Sequence, residues 1–277
     1  MSDAGPLIRT VNATRYVTPL REGGSLPAIV EADDLGLYVL KFRGAGQGPL
    51  ALVAELLAGE IGRALGLNVP EIVLMEVDAA LGRNEADPEI RDLLRASVGL
   101  NLALDYLPGS ATFDAAADRV DADLAASVVW FDAFVTNVDR TPRNPNLLWW
   151  HKALYLIDHG SSLYFHHSWP QSPQGLEETA RGRFPAIRDH VLLRWADRLE
   201  EADHRLRPRL DVAFLARLVA QVPEDWLLAE PAGSVSESQL AFQRAVRRAG
   251  YVDFLTQRLA AAPAFLEEAV HARAQLV

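Results

Sequence analysis

Residues 137–160, NVDRTPRNPNLLWWHKALYLIDHG, are the stretch that decides the fold. Asp139 and Asn144 stand five positions apart in a Pro-rich segment whose composition is typical of a turn-forming loop. The apolar runs that follow predict two strands around a short turn: 147–150, then His151-Lys152, then 153–157. Such a hairpin would return Asp158, at the end of its second strand, beside the loop that carries Asp139.

These three side chains are a set that phosphoryl transfer from ATP requires. One carboxylate, Asp139, would orient the attacking hydroxyl, while the amide oxygen of Asn144 and the carboxylate of Asp158 would hold Mg²⁺ against the phosphates. The spacing of Asp139 and Asn144 is common by itself, so the prediction rests on its combination with the hairpin and the Asp-x-Gly that follows. The alternative is an Asx-rich turn that caps a hairpin and has no chemical role.

The composition is that of a globular protein: 277 residues, of which 49% are hydrophobic and 23% charged. A formal net charge of −10 argues against surface-wide attraction to nucleic acid or to anionic membranes, and leaves room for a local basic groove. The absence of cysteine excludes disulfides and thiolate metal sites. With no signal sequence and no long apolar run evident, we expect a cytoplasmic protein that binds neither nucleic acid nor membrane.

Lys41 is one of only two lysines among 27 basic residues. It lies in a predicted strand, residues 37–42, on a face shared with apolar side chains, where an ammonium group requires an anionic partner. A helix predicted over residues 50–65 supplies Glu55 and Glu60, and we favour Glu55 because its neighbours are small and apolar. A lysine that reaches solvent and a glutamate that is a surface charge are the alternatives.

Two further segments are candidates for nucleotide binding. A Gly-rich turn would let backbone N–H groups approach phosphates, and its candidate residues are Gly23, Gly24 and Ser25. A strand predicted over residues 97–107 runs into a Pro-Gly turn, where backbone groups would contact adenine; the candidates are Asp105, Tyr106 and Leu107. An ordinary hairpin turn and an ordinary strand end are the alternatives.

Strand patterns dominate residues 1–107 and helix patterns dominate the C-terminal part, so we predict an α+β fold with two lobes. The N-terminal lobe, residues 1–107, is β-rich with one long helix, and the mainly helical C-terminal lobe, residues 108–277, carries the loop and hairpin. Its predicted helices are 121–135, 187–199, 212–222, 237–248, 251–261 and 264–274. Residues 168–184 have the composition of a loop.

With these residues assembled, the sequence resembles the HipA-like kinases, which are bacterial relatives of the protein kinases and phosphatidylinositol kinases. The matching strings lie within about residues 21–165: GGSLPAIVEAD…LYVLKFRG, AELLAGEIGRALGLNVP, FDAFVTNVDRTPRNPNLLW and LYLIDHGSSLYF. The resemblance implies that Lys41 contacts the ATP phosphates and that Glu55 orients it. It also implies that Asp139 is the general base and that Asn144 and Asp158 are the Mg²⁺ ligands. The loop on the phosphate side would be formed by Gly23, Gly24 and Ser25.

The sequence departs from the family pattern in three places. The Gly-rich turn begins near residue 21, so we expect no counterpart of the N-terminal subdomain of full-length HipA toxins. Thr141 replaces a frequent histidine, and His159 stands in the Asp-x-Gly where protein kinases have Phe. The resemblance therefore implies ATP chemistry without implying a toxin role or an antitoxin partner. Since the family can be silenced by phosphorylation in the Gly-rich loop, Ser25 is a candidate for autoregulation.

We therefore expect an ATP- and Mg²⁺-dependent kinase that acts on a hydroxyl group, with Ser/Thr of a protein favoured as acceptor. The alternatives are a small-molecule kinase of the aminoglycoside or choline type, a phosphoinositide kinase, and a nucleotide-binding pseudokinase. A metal hydrolase would use Asp158, His159, His166 and His167, whose spacing matches no zinc motif. The two adjacent histidines, His166 and His167, are more simply interpreted as packed side chains than as metal ligands.

Overall fold

Five strands of the N-terminal half close into a small barrel. The computed structural model describes residues 8–20, 26–83, 85–228 and 236–276, so Gly23, Gly24 and Ser25 lie outside the described residues. The strands are β1 (Thr10–Pro19), β2 (Ala28–Ala32), β3 (Leu37–Lys41), β4 (Ile72–Val77) and β5 (Gly99–Asp105). They are ordered β1-β2-β3-β5-β4, and a parallel pairing of β1 with β4 closes the barrel. The strands predicted over residues 37–42 and 97–107 are confirmed as β3 and β5, with shifted ends.

The alternation of side chains in β3 directs Lys41 away from the barrel interior. Tyr38 and Leu40 are buried among the residues that fill the barrel, so Lys41 lies on the opposite face. In the antiparallel pairing with β5, Lys41 stands opposite Leu102, which belongs to the core shared with the following helix. The ammonium group therefore faces that helix.

This helix, α1 (Gly48–Ala64), packs directly against the barrel. It begins with Pro49 in its first turn, and Gly66, at φ +84°, follows its end, as the sequence predicts. A Cβ on Gly59 would collide with the end of the Ile72 side chain in β4, so glycine lets the helix lie this close without that side chain moving. The approach buries α1 so completely that Glu55 is inaccessible to solvent.

The predicted hairpin is present and carries a third, short strand. Its strands are β6 (Ala111–Thr112), β7 (Leu147–Trp150) and β8 (Ala153–Leu156), in the order β6-β7-β8. Both turn residues, His151 and Lys152, have positive φ, at +47° and +65°, as a two-residue type I′ turn requires. Asp158 follows β8 at φ +55°, in a left-handed conformation that aspartate tolerates better than most residues.

Helices make up most of the C-terminal part. They are α2 (Pro88–Ala96), which belongs to the N-terminal half, then α3 (Ala122–Val135), α4 (Pro173–Ala180), α5 (Leu199–Leu206), α6 (Val212–Ala220), α7 (Glu237–Ala260) and α8 (Ala262–Ala274). A large core joins α1, the adjoining face of the barrel and helices α3 to α8, while a smaller core fills the barrel and includes Ile90 and Leu94 of α2. A β-rich N-terminal part and a helical C-terminal part are thus confirmed. The division into two lobes after residue 107 stays a prediction.

The predicted helix over residues 187–199 is wrong. The chain forms two 3-10 turns there, Pro185–Asp189 and Leu193–Trp195, and α5 begins only at Leu199. The side chain of His190 explains the interruption, because its Nδ1 accepts a hydrogen bond from the backbone N–H of Leu192 at 3.0 Å. A ring that bonds the local backbone in this way competes with helical hydrogen bonding.

Two other boundaries also differ from the predictions. Residues 168–184 are more than a loop, because Ser172 accepts the N–H of Gly175 and thereby caps α4. Residues 237–248 and 251–261 were predicted as two helices around Gly250, but α7 is continuous. Gly250 is retained inside it because a Cβ there would collide with Trp169. None of the described helices combines the length and the apolar character needed to cross a membrane.

Candidate active site

Lys41 links a carboxylate of α1 to the carboxylate that follows the hairpin. Its Nζ lies 2.5 Å from Glu55 Oε2 and 2.6 Å from Asp158 Oδ1. The side chain of Lys41 is 14% exposed and that of Glu55 is fully buried, whereas that of Asp158 is 48% exposed. Glu60, the other candidate partner, is paired with Arg63 instead. The chain from Glu55 through Lys41 to Asp158 therefore runs from the core to the surface.

The charges of this chain stabilise one another. Burial alone would lower the pKa of Lys41, but the carboxylates of Asp158 and Glu55 outweigh it and raise the pKa above its usual value. For Glu55, burial would raise the pKa, but the charge of Lys41 and a hydrogen bond from His159 lower it well below its usual range. Lys41 is therefore a fixed ammonium group and Glu55 a fixed carboxylate.

His159 supports Glu55 from behind. Its Nδ1 lies 3.2 Å from Glu55 Oε1, and because an ionised carboxylate only accepts, the ring donates. The buried ring also meets Phe131 of α3 edge-on, with centroids 5.8 Å apart. His159 Nε2 is buried without a partner among the described residues, so the tautomer with its proton on Nδ1 avoids an orphaned N–H. The residue that departs from the kinase pattern thus positions the partner of Lys41.

The loop between α3 and β7 holds Asp139 with three asparagines. Asn144 Nδ2 donates to Asp139 Oδ2 at 2.7 Å, and Asn146 Nδ2 donates to the same oxygen at 3.4 Å. The Asn137 side chain accepts the backbone N–H of Asp139 at 3.0 Å. Asn144 is exposed and Asp139 is half-buried, so the loop presents both at the surface.

Asp158 lies close enough to Asp139 for its charge to influence the pKa of Asp139. Burial raises the pKa of Asp139, and the charge of Asp158 raises it further, while hydrogen bonds from Asn144 and Asn146 oppose the rise. The backbone joins the two segments, since Ile157 N donates to Asn146 O at 3.0 Å. The structure thus brings the two predicted carboxylates into one region, as the hairpin argument requires.

Sequence reasoning missed a second, fully buried charge cluster beneath this loop. Asp132 of α3 accepts from Arg140 Nε at 2.6 Å and from Asn137 Nδ2 at 2.9 Å. Arg140 also donates to the carbonyls at both ends of the hairpin, Asn146 at 2.5 Å and Ile157 at 3.4 Å. Asp132 and Arg140 are 0% and 1% exposed. The cluster fixes both flanks of the segment that carries Asp139.

His190 completes this cluster from a distant part of the chain. Its Nδ1 accepts from Leu192, so its Nε2 carries the proton and donates to Asp132 Oδ2 at 2.9 Å. Burial lowers the pKa of His190, which agrees with a neutral ring. The charge of Arg140 and the hydrogen bond from His190 hold the pKa of Asp132 far below its usual range, although burial opposes this. Arg140 directly follows the predicted base Asp139, and this position was a signal in the sequence that could have identified it. No pattern in the neighbouring residues pointed to His190.

The predicted adenine-binding segment lies at the end of β5. Asp105 N donates to Glu71 O at 2.8 Å and Tyr106 N donates to Leu37 O at 2.9 Å, so both N–H groups are already used. Leu107 is buried at 5% exposure and follows directly. The Leu107 N–H is therefore a better candidate for contacting adenine than the N–H groups of the two preceding residues. The next peptide group offers less, because Pro108 has no N–H and the Leu107 carbonyl already accepts Ser110 N at 3.2 Å.

The donor atoms near Asp139 fit a hard cation. Asp158 Oδ1 is bonded to Lys41, and the Asn144 side-chain nitrogen donates to Asp139. Asp158 Oδ2 and the Asn144 amide oxygen therefore remain as ligands of the type that Mg²⁺ prefers. Nowhere in the described part of the chain do three or more histidine and carboxylate side chains form a group that could hold a metal by themselves. The metal-hydrolase alternative has no support there, because His159 bonds Glu55 and His166 bonds Tyr251 at 2.9 Å.

Known proteins show the same combination of sequence and fold. The family model described as HipA-like kinase matches residues 14–254. The chain belongs to the HipA-like kinases. It is therefore a phosphotransferase, as the sequence predicts. The crystal structure of the Helicobacter pylori proinflammatory kinase CtkA is similar to this HipA-like kinase, with a TM-score of 0.54 and 14% identity. That similarity covers 96% of this chain and 99% of CtkA, and at this identity it concerns the fold. No curated protein matches the chain.

Proposed function

We propose that this HipA-like kinase transfers the γ-phosphoryl group of ATP to a serine or threonine hydroxyl of a protein, in the cytoplasm and with Mg²⁺. The observation that carries the proposal is the bridge from Glu55 through Lys41 to Asp158, with Asp139 on the neighbouring loop. A strand lysine paired with a helix glutamate, and a base held near a metal-binding carboxylate, are the parts that protein kinases use.

Lys41 is prepared to receive a phosphate oxygen. An ammonium group has three N–H donors, and Glu55 and Asp158 take two of them. The third donor is available to the nucleotide. Because Glu55 is buried and itself held by His159, the ammonium group keeps its position when a phosphate approaches from the exposed side. Positioning of this kind supplies much of the catalysis in phosphoryl transfer.

Asn144 and Asp158 would hold the magnesium ion through their oxygen atoms. When bound, Mg²⁺ neutralises charge on the phosphates. Asn144 would serve two roles at once, since its nitrogen orients Asp139 while its oxygen faces the cation. Through this shared side chain, Asn144 would keep the base and the metal ligands together.

Asp139 would act as the general base. One of its oxygens, Oδ2, is committed to Asn144 and Asn146, so Oδ1 is the atom that accepts the proton of the acceptor hydroxyl. The hydroxyl oxygen then bonds to the γ-phosphorus as the bond from that phosphorus to the bridging oxygen breaks, and ADP leaves with the electron pair. The raised pKa of Asp139 favours this role, because a stronger base accepts the proton more readily.

The test is radiolabel transfer from ATP by the purified protein, offered a lysate of proteins and, separately, an extract of metabolites. Asp139→Asn should slow transfer by about 10²–10⁴-fold. Asp92→Asn, which changes a 72% exposed carboxylate of α2, is the matched control and should retain full activity. Equal rates in the wild type and Asp139→Asn would remove the base assignment. Transfer to metabolites alone would favour the small-molecule kinase, and nucleotide binding without transfer would favour the pseudokinase.

A further inference from the structure

A cavity beside the start of α1 is lined by residues that have no role in the proposed transfer. It has a volume of about 550 Å³, within the range of small-molecule sites. Its polar side is formed by His166, His167, Ser168, Gln171 and Arg247, and its apolar side by Trp169 and two leucines. We call it the His–Arg cavity. One of the leucines, Leu50, belongs to the first turn of α1, so the cavity borders the helix that carries Glu55.

One face of α7 builds the wall of the His–Arg cavity. Arg247, Gly250 and Tyr251 lie three and four positions apart and therefore share a helix face. The Arg247 guanidinium stacks 4.1 Å from the centre of the Trp169 ring, which rests against Gly250. Tyr251 OH lies 2.9 Å from His166 Nδ1, and His166 is 3% exposed. The polar groups are held by packing and hydrogen bonds, so they are oriented before any ligand arrives.

The charge in the His–Arg cavity is positive and uncompensated among the described residues. No described carboxylate pairs with Arg247, whereas Arg244, one turn earlier, contacts Asp225 at 3.3 Å and Glu237 at 3.2 Å. Burial lowers the pKa of Arg247. Burial also lowers the pKa of His166, to about 3, and the charges of His167 and Arg247 contribute to this shift. A half-buried guanidinium in such surroundings gains from an anionic partner.

We propose that the His–Arg cavity binds a phosphate group, either as free phosphate or as the phosphate of a phosphorylated side chain. Arg247 supplies a planar pair of donors suited to phosphate oxygens. His166 Nε2 and His167 Nε2 lie 3.2 Å apart and bond each other, and His166 Nδ1 bonds Tyr251, so the imidazole nitrogen left for a ligand next to the guanidinium is His167 Nδ1. Ser168 and Gln171 add neutral donors, and the apolar side has room for the rest of a larger ligand.

The test is calorimetric titration of the full chain with inorganic phosphate and, in a parallel arm, with O-phosphoserine. A saturating non-hydrolysable ATP analogue with Mg²⁺ keeps phosphate out of the nucleotide site. Arg247→Gln should weaken binding at least about tenfold, because a charged hydrogen bond of about 1.5 kcal/mol corresponds to that factor. Arg95→Gln removes a 68% exposed arginine of α2 with the same change in net charge, and should bind like the wild type.

Tighter binding of O-phosphoserine than of phosphate would assign the cavity to a phosphorylated residue, and equal binding would assign it to free phosphate; both results support the proposal. A wild type that binds neither compound would overturn it, as would an Arg247→Gln protein that binds like the wild type. A second measurement needs no variant. Phosphate should shift the imidazole NMR signals of His166 and His167 and leave those of exposed His204 unchanged, and the opposite pattern would also overturn the proposal. Binding rather than turnover is measured, so the result is independent of the proposed function.

Discussion

Two charge clusters flank the loop that carries Asp139, and they are built for different tasks. In the Lys41 cluster, a fully buried Glu55 leads through a lysine with one donor to spare to Asp158, whose side chain is 48% exposed. In the Asp132 cluster, carboxylate, arginine and histidine are all buried and bonded within the protein. The first is open at one end, where a ligand can complete it. The second is closed and serves to hold the loop. Burial and unused bonding capacity, rather than charge alone, therefore separate a site from its scaffold.

The two clusters meet in consecutive residues of the chain. Ile157 O accepts from Arg140, and Asp158 Oδ1 accepts from Lys41. A change in one cluster therefore reaches the other through a single peptide unit. Variants of the two clusters should nevertheless have different effects. A change in the open cluster should reduce activity, and a change in the closed cluster should reduce stability.

Of the two clusters, the open one should show the larger effect on activity. Lys41→Met removes the ammonium group that would meet the phosphates, and we expect transfer from ATP to fall by about 10²–10³-fold, the usual cost of losing one group that stabilises developing charge. The measurement is the initial rate of radiolabel transfer. The other lysine of the chain is the control: Lys152→Met, at the exposed hairpin turn, should keep its rate. Comparable losses in the two variants would contradict the assignment of Lys41.

The closed cluster should respond in stability instead. Arg140→Met leaves the carboxylate of Asp132 buried beside a neutral histidine, and we expect the free energy of unfolding to fall by about 3–5 kcal/mol. Denaturant unfolding measures this, with Arg95→Met of exposed α2 as the control that should change little. The double variant Asp132→Leu/Arg140→Met should recover part of the loss, since no charge is then left unpaired. A single variant as stable as the control would show that the cluster does not hold the loop.

The pH dependence of transfer offers a finer comparison at the Asp139 loop. Hydrogen bonds from Asn144 and Asn146 lower the pKa of Asp139, while burial and Asp158 raise it above its usual value. Asn146→Gly removes one of these bonds and keeps the positive φ of +50° accessible. The pKa of Asp139 should rise, so activity should be lost at a higher pH as the solution is acidified.

The kcat–pH profiles of the wild type and Asn146→Gly measure this shift. Asn68→Gly serves as control, because Asn68 also donates through its side-chain nitrogen, but to Leu154 O on β8. If the acid limb of the kcat–pH profile moves to lower pH in Asn146→Gly, or moves equally in both variants, Asn146 does not act on Asp139.

The sequence could predict the open cluster because its members lie in local patterns. Lys41 alternates out of a strand, Glu55 lies in an apolar helix, and Asp158 ends a hairpin, so each position followed from its own segment. The closed cluster was beyond reach for a physical reason: His190 meets Asp132 across 58 positions, and no local pattern encodes such a contact. The same histidine interrupts the helix predicted over residues 187–199, because its other ring nitrogen bonds the backbone N–H of Leu192.

Of two other wrong predictions, one had a signal that a local rule could have caught and one did not. Ser172 followed by Pro173 is a helix start, and it precedes α4 in a segment predicted as a loop. The predicted helices 237–248 and 251–261 leave Gly250 between them, but the tight packing of Trp169 makes glycine necessary inside a continuous α7. By its own preference a glycine favours the end of a helix, but here a tertiary contact requires it inside one. The sequence alone cannot distinguish these two cases.

The smallest expected effect tests the hairpin that joins the two clusters. Lys152 adopts φ +65°, a left-handed conformation that costs a side-chain-bearing residue on the order of 1 kcal/mol, so Lys152→Gly should stabilise the fold by up to about that amount. Thermal unfolding measures the gain, and Glu178→Gly, exposed inside α4, should instead lose about 1 kcal/mol. The transfer rate should stay unchanged, because the turn lies at the far end of the hairpin from Asp158. A turn variant that alters the rate without altering stability would mean that the hairpin transmits strain to the open cluster, and the separation between site and scaffold would then have to be drawn elsewhere.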